Sequence, residues 1–186
     1  MKIETAKILS TFLENRSSSI SDFENWVYSN SSLEDELGSD IFAELISLNF
    51  NDGSIRVKVK ELVDPIIDYA DLHKNEILTV IEELISKSAE PLNGIKKLYV
   101  LVEKGYVFLG SIDVIGNFGE QWKSIVHPID KEMDKESQWN KMLIIEPNLL
   151  HELTQLKEKI ETNKIVLTGK KEVMKHYGEQ FKYIEN

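Results

Sequence analysis

The sequence predicts a mainly α-helical protein, folded as a single compact domain over residues 1–186 with a small β component in its C-terminal half. Two observations lead to this prediction. Apolar residues recur every three or four positions in most segments, as on the inner face of a helix. The chain has 186 residues and is 41% hydrophobic, which suits one domain with a full core. The alternative is an α+β fold with a hairpin at residues 98–109.

Composition excludes several kinds of site and location. The chain has no cysteine, so disulfide bonds, thiolate zinc sites and cysteine nucleophiles are excluded. Residues 1–15 lack the apolar run of a signal peptide, because charged and polar side chains interrupt them. No stretch approaches the roughly 18 apolar residues of a membrane-spanning helix. We therefore expect a cytoplasmic protein.

The first elements are predicted to be helices. Residues 2–14 have one apolar face, formed by Ile8, Leu9, Phe12 and Leu13. Ser21 suits the N-cap of a short helix over residues 22–28. The apolar stripe that follows is the clearest helical pattern in the chain, and Gly38 is expected to divide it into two helices. The members of this stripe are Leu33, Leu37, Ile41, Leu45 and Leu48.

The middle of the chain is predicted to be helical as well. Apolar spacing favours a helix that begins at Ile55 and continues past Pro65, although residues 55–59 also alternate as a strand would. Residues 74–87 show a firmer helical pattern. Residues 98–109 fit either a helix or a hairpin that turns at residues 103–105. We prefer the helix because the neighbouring segments are helical.

The next segments are predicted to be less regular. Residues 110–119 contain spaced glycines and are expected to form a loop. Residues 123–141 mix charge with Pro128 and are expected to form an irregular surface segment. Residues 142–145 are a short apolar run, which indicates a strand.

The C-terminal segments complete the prediction. Residues 149–160 have the apolar spacing of a helix. Residues 165–168 form an apolar run closed by Gly169, which indicates a buried strand. Residues 173–184 carry no clear pattern.

No residue is assigned as catalytic, cofactor-binding or metal-binding. Residues 168–171 resemble a phosphate-binding loop, but Lys164 stands where the first glycine belongs and Lys171 replaces the magnesium-binding Ser or Thr. There is no Gly-x-Ser-x-Gly motif. The histidines lack metalloprotease spacing; they are His73, His127, His151 and His176. We predict that the protein is not an enzyme and uses no cofactor.

Negative charge is concentrated in one half of the sequence. Residues 1–90 contain 8 Lys or Arg and 18 Asp or Glu, a net charge of −10, whereas residues 91–186 contain 14 of each. This distribution argues against nucleic-acid binding, which needs a basic surface. It suits a basic protein partner. We therefore distinguish an acidic helical half, residues 1–90, from a neutral half, residues 91–186.

Two rows of acidic residues mark a candidate binding surface: the first is Glu36, Asp40 and Glu44, and the second is Glu61, Asp64, Asp68 and Asp71. Both have helical spacing, and in the first row carboxylates four positions apart repel each other without a nearby lysine. A merely solvated face would have the same pattern. Trp26 and Tyr28 are candidate aromatic anchors, although Trp26 also suits packing between the first helices. The predicted partner-binding residues are Asp35, Glu36, Asp40, Glu44, Asp64, Asp68 and Asp71.

Three apolar and aromatic segments carry a resemblance to a known class of proteins. They are Phe23-Glu24-Asn25-Trp26-Val27-Tyr28, then residues 33–50, then Leu98-Tyr99 with residues 105–109. Together they resemble small bacterial immunity proteins of polymorphic-toxin and contact-dependent inhibition systems, over residues 20–110. The resemblance implies a frequently acidic, cytoplasmic protein that binds and neutralises a toxin, often a basic nuclease. It carries over no individual functional residue.

These observations lead to three hypotheses. The first is an immunity or antitoxin-like protein that binds and inhibits a cognate basic toxin through its acidic N-terminal half. The second is a non-enzymatic regulatory or scaffold protein of bacterial or phage origin. The third is an enzyme whose site assembles from scattered residues such as His127, His151 and Glu152. None of the three predicts contact with nucleic acid or with a membrane.

Overall fold

A computed structural model describes residues 1–118, 129, 133–175 and 178–186. Over these residues the protein is mainly α-helical with a small antiparallel sheet near the C-terminus, which confirms the predicted fold class. Contacts divide the chain into two compact units, Met1–Asp68 and Tyr69–Asn186. The single domain over residues 1–186 stays a prediction.

The first unit consists of short helices. They are α1 (Ile3–Glu14), α2 (Ile20–Ser29), α3 (Leu33–Leu37), α4 (Ser39–Ile46) and α5 (Ile55–Val63), followed by a 3-10 turn at Asp64–Ile66. Gly38 has φ of +87° and separates α3 from α4, as predicted. That conformation is open to glycine and strained for other residues.

Aromatic rings and one arginine hold the first helices together. The rings of Phe12 and Phe23 stack with centroids 3.7 Å apart, and both are buried. The guanidinium of Arg56 lies 4.2 Å from the Phe12 ring centroid. It donates hydrogen bonds to the carbonyls of Phe12 and Ser18. Arg56 therefore ties α5 to α1 and to the turn that precedes α2.

Two helix boundaries differ from prediction. Ser19, and not Ser21, caps α2, because its hydroxyl accepts the backbone N–H of Asp22 at 3.1 Å. The helix predicted to continue past Pro65 ends at Val63 instead. Proline has no N–H for the helical ladder, and its ring clashes with the carbonyl four residues earlier.

The second unit combines helices with a hairpin. Its elements among the described residues are α6 (Tyr69–Ile85), α7 (Pro91–Glu103), a 3-10 turn at Val107–Ser111, α8 (Asp113–Gly116), α9 (Lys135–Ile145), α10 (Leu149–Glu161), β1 (Ile165–Met174) and β2 (Gly178–Glu185). The helix predicted over residues 149–160 is confirmed within α10, and the one predicted over residues 74–87 is confirmed as far as Ile85, where α6 ends. The loop predicted at residues 110–119 is wrong where the 3-10 turn and α8 form; Gly119 lies outside the described residues.

Residues 98–109 are not a hairpin. Residues 98–103 belong to α7, and Gly105, at φ of +115°, ends the helix instead of turning a strand. A Cβ at Gly105 would lie 2.6 Å from the Phe181 carbonyl oxygen. Phe181 in β2 donates its backbone N–H to the Lys104 carbonyl at 2.7 Å. The glycine is therefore needed for close contact between this helix end and the sheet.

The strand predicted at residues 142–145 is also wrong, because these residues end α9. Asp134 caps this helix by accepting the Ser137 backbone N–H at 2.9 Å, and Trp139 and Met142 are buried on one face. The irregular segment predicted for residues 123–141 is therefore wrong from residue 135 onward. Most of its remainder, including Pro128, lies outside the described residues.

The sheet contains the predicted strand at residues 165–168. β1 begins there and extends to Met174, pairing antiparallel with β2 from Ile165 opposite Glu185 to Met174 opposite Gly178. The register shifts between Leu167 and Lys171. The segment that carried no clear pattern, residues 173–184, thus supplies the end of β1 and most of β2.

Candidate protein-binding surface

The predicted acidic residues on α4 are exposed. Asp40 and Glu44 lie four positions apart, which places them on one side of the helix. Asp35, on α3, is exposed as well. Within the described residues, none of these three carboxylates is in an ion pair. They are therefore available to a cationic partner.

Glu36 has a different role from its neighbour Asp35. Its side chain is only 8% exposed, and its carboxylate lies 3.1 Å from the Lys2 ammonium. It also accepts hydrogen bonds from the Lys2 backbone N–H and the Ser32 hydroxyl, both at 2.9 Å. The backbone hydrogen bond from Lys2 is the main reason that the pKa of Glu36 falls from 4.5 to about 2. Glu36 therefore stabilises the first unit and offers little to a partner.

The second predicted acidic row does not form one helical row. Glu61 lies on α5, Asp64 lies in the 3-10 turn and is half-buried, and Asp68 follows that turn and is exposed. Asp71 is exposed on α6, in the second unit. Because Pro65 ends α5, helical spacing does not extend across these positions.

Tyr28 supplies an exposed aromatic ring next to α4. Its side chain is 56% exposed, and its hydroxyl donates to the carbonyl of Ile46, the last residue of α4, at 3.0 Å. The ring also meets Phe50 edge-on, with centroids 6.1 Å apart. Tyr28 is thus held in place at the end of the helix that carries Asp40 and Glu44.

An apolar groove of about 510 Å³ lies between α1 and α2 in the first unit. Ile8, which is 39% exposed, and the half-buried Trp26 form its apolar walls, while Phe12 and Phe23 lie beneath. We refer to it as the α1–α2 groove. Apolar spacing predicts that Ile8 lies on the inner face of α1, whereas the structure exposes it in this groove, which the sequence does not predict. The available signal in the sequence is a large apolar residue on each of the two helices, Ile8 on α1 and Trp26 on α2.

The residues named for an enzymatic site do not assemble one within the described structure. His151 is exposed on α10, and its Nε2 lies 3.0 Å from the Gln155 amide nitrogen. Glu152 is the next residue of the same helix, where adjacent side chains point in different directions. His127 lies outside the described residues. Among the described residues, no three His, Asp or Glu side chains group in a way that could hold a metal ion.

Two further findings bear on the type of protein. No helix in the described part of the chain has both the length and the apolar character needed to cross a bilayer. Comparison with known protein families, with curated proteins and with solved structures found no match for the chain.

Proposed function

We propose that this chain is a cytoplasmic immunity or antitoxin-like protein that binds and inhibits a basic bacterial toxin through its first unit. The observation that carries the proposal is the set of exposed carboxylates at Asp35, Asp40 and Glu44, which lack an ion-pair partner among the described residues. The resemblance of residues 20–110 to immunity proteins supports it.

The arrangement on α4 is unfavourable for the helix alone. Like charges at Asp40 and Glu44 destabilise a helix by roughly 0.2–0.5 kcal/mol. Glu36 does not add to this repulsion. It lies on α3, which Gly38 separates from α4, and its charge is paired with Lys2. A Lys or Arg of a partner near Asp40 and Glu44 would relieve the repulsion.

The charge of the whole first unit would also guide the encounter. Residues 1–68 contain 13 Asp or Glu and 6 Lys or Arg, a net charge of −7. Such a field raises the association rate of a basic protein by about 10- to 1,000-fold at low salt. Inhibition then requires only that the bound chain cover the toxin's active site, with no chemistry of its own.

Tyr28 is the proposed anchor of the interface. Tyrosine side chains are enriched among residues that dominate binding energy, since they combine a large apolar ring with a polar tip. The hydrogen bond to Ile46 holds this ring beside the acidic helix before any partner arrives. We expect replacement of Tyr28 by alanine to speed dissociation, whereas charge reversal on α4 should slow association.

The test is a rescue experiment with the genes encoded next to this chain. Each neighbour is expressed alone in a bacterial host and then together with this chain. The proposal predicts that one neighbour encodes a basic domain that arrests growth and that co-expression restores growth. If no neighbour is toxic, or if this chain rescues none that is, the proposal is wrong.

A further inference from the structure

The α1–α2 groove exposes apolar surface that the first unit leaves uncovered. Ile8 is 39% exposed at one wall, and Trp26 is half-buried at the other, with its ring centroid 5.6 Å from that of Phe23. About 510 Å³ is enough space for one or two large apolar side chains. Exposed apolar surface of this shape, rimmed by polar residues, commonly marks a binding site.

The rim of the groove carries a carboxylate beside the indole. Asp22 and Trp26 lie four positions apart on α2, so they are neighbours on the helix surface. A Lys or Arg placed there would contact both a carboxylate and an aromatic face, and indole is the strongest cation–π partner among side chains. Lys7 lies on the rim at α1. Between Glu14 and Asp52 the sequence has nine acidic residues and one basic residue, Arg16.

We propose that the α1–α2 groove binds a basic amphipathic segment of the protein partner. An aliphatic or aromatic side chain of that segment enters between Ile8 and Trp26, and a neighbouring Lys or Arg binds Asp22. The apolar side chain of the occupant follows from the apolar lining of the groove, and its basic character follows from the first unit, which has a net charge of −7, since Lys7 and Asp22 balance each other in the groove itself. This inference rests on the proposed function, since it names the feature by which the basic partner is recognised.

Two synthetic helical peptides of equal length and equal positive charge test this proposal on the full chain. One alternates Lys with Leu along an amphipathic pattern, and the other has Ser at every Leu position. Titration calorimetry measures both affinities. We expect the Leu peptide to bind about tenfold more tightly or better, because only its apolar side chains gain by entering the groove.

Two substitutions that each introduce an arginine test whether the preference for the Leu peptide arises at the α1–α2 groove. Thr11→Arg places a long, charged side chain in the groove from an exposed position of α1. Val57→Arg places it at a position of α5 that is 58% exposed and does not line the groove. The preference for the Leu peptide should vanish in Thr11→Arg and persist in Val57→Arg. Equal binding of the two peptides to the wild-type chain, or a preference that survives Thr11→Arg, overturns the proposal.

A further variant separates this proposal from the proposed function. Asp40→Lys/Glu44→Lys should weaken both peptides by a similar factor and leave the preference for Leu unchanged, because it acts through charge. If the wild-type chain shows no preference for the Leu peptide while Asp40→Lys/Glu44→Lys still weakens the binding of both peptides, only the groove proposal is rejected. If the charge reversal leaves the affinity for the Ser peptide unchanged, the acidic surface does not attract a cationic segment, which contradicts the proposed function.

Discussion

At the scale of single residues, Asp35 and Glu36 differ in role although they are adjacent and equally charged. Asp35 is exposed, whereas Glu36 receives two hydrogen bonds and an ion pair in the first unit. The sequence cannot separate them, because the partner of Glu36 is Lys2, 34 positions away. Their shared charge predicts that both carboxylates face a partner, but the structure exposes Asp35 and pairs Glu36 with Lys2.

We expect Glu36→Gln to destabilise the first unit by about 1–3 kcal/mol, since it removes a charge that accepts hydrogen bonds. Asp35→Asn is the matched control, and it should change stability by less than about 0.5 kcal/mol. Urea denaturation followed by circular dichroism measures both. Because the pKa of Glu36 is lowered in the folded protein, its contribution is present above pH 4.5 and is lost as the pH falls toward 2. Equal effects of the two substitutions would contradict this assignment.

His73 predicts a second pH dependence, in the second unit. Its ring is buried among the rings of Tyr69, Tyr106 and Phe181, and its Nδ1 shares a 2.8 Å hydrogen bond with the Tyr106 hydroxyl. Its Nε2 has no hydrogen-bond partner among the described residues. Burial, assisted by the positive charges of Lys104 and Lys171, lowers the pKa of His73 from 6.5 to about 3.

The folded protein therefore keeps His73 neutral under conditions in which the unfolded chain binds a proton. Stability from this residue is complete above pH 6.5 and is lost as the pH falls toward 3. Between pH 7 and pH 4.5 the loss is about 2–3 kcal/mol. In His73→Phe/Tyr106→Phe, which removes both hydrogen-bond partners, this part of the pH dependence should disappear. The free energy of unfolding is measured for the wild type and for the double variant at pH 7 and pH 4.5. An equal loss of stability in the two proteins would refute the prediction.

At the scale of elements, local signals predicted some boundaries well. Gly38 divides two helices through its own backbone preference, and residues 165–168 form a strand as their apolar run indicated. Residues 142–145 are equally apolar but end a helix, because Asp134 caps α9 and Trp139 packs inside. A short apolar run does not by itself distinguish a strand from the end of a helix.

Gly105 and Gly178 provide a test of the contact between α7 and the sheet. Both have positive φ, at +115° and +72°, but only Gly105 is crowded, by the backbone of Phe181. Gly178→Ala should cost about 1 kcal/mol, from backbone strain alone. Gly105→Ala should cost about 2–4 kcal/mol, since strain and overpacking combine. Thermal unfolding compares the two variants, and similar losses would show that the close approach to Phe181 contributes nothing.

At the scale of the whole molecule, the excess of negative charge is larger in the first unit, but the units divide after residue 68 and not after residue 90, and the second unit is not neutral. The first unit has a net charge of −7 and the second unit, with 19 Asp or Glu and 16 Lys or Arg, has a net charge of −3. Sequence counting is sufficient for this result, because most charged side chains remain near the surface. The α1–α2 groove could not be predicted in the same way, since it depends on how α1 and α2 pack together.

The most direct test of the central claim is the association rate of this chain with the toxic domain that it rescues. Stopped-flow mixing at several salt concentrations compares the wild type with Asp40→Lys/Glu44→Lys. The control, Glu136→Lys/Glu158→Lys, reverses two exposed charges of the second unit. We predict that the α4 variant associates about tenfold more slowly at low salt, with a weaker salt dependence, and that the control associates at close to the wild-type rate. Equal association rates for the wild type and the α4 variant would contradict the claim that the acidic surface of the first unit binds the partner.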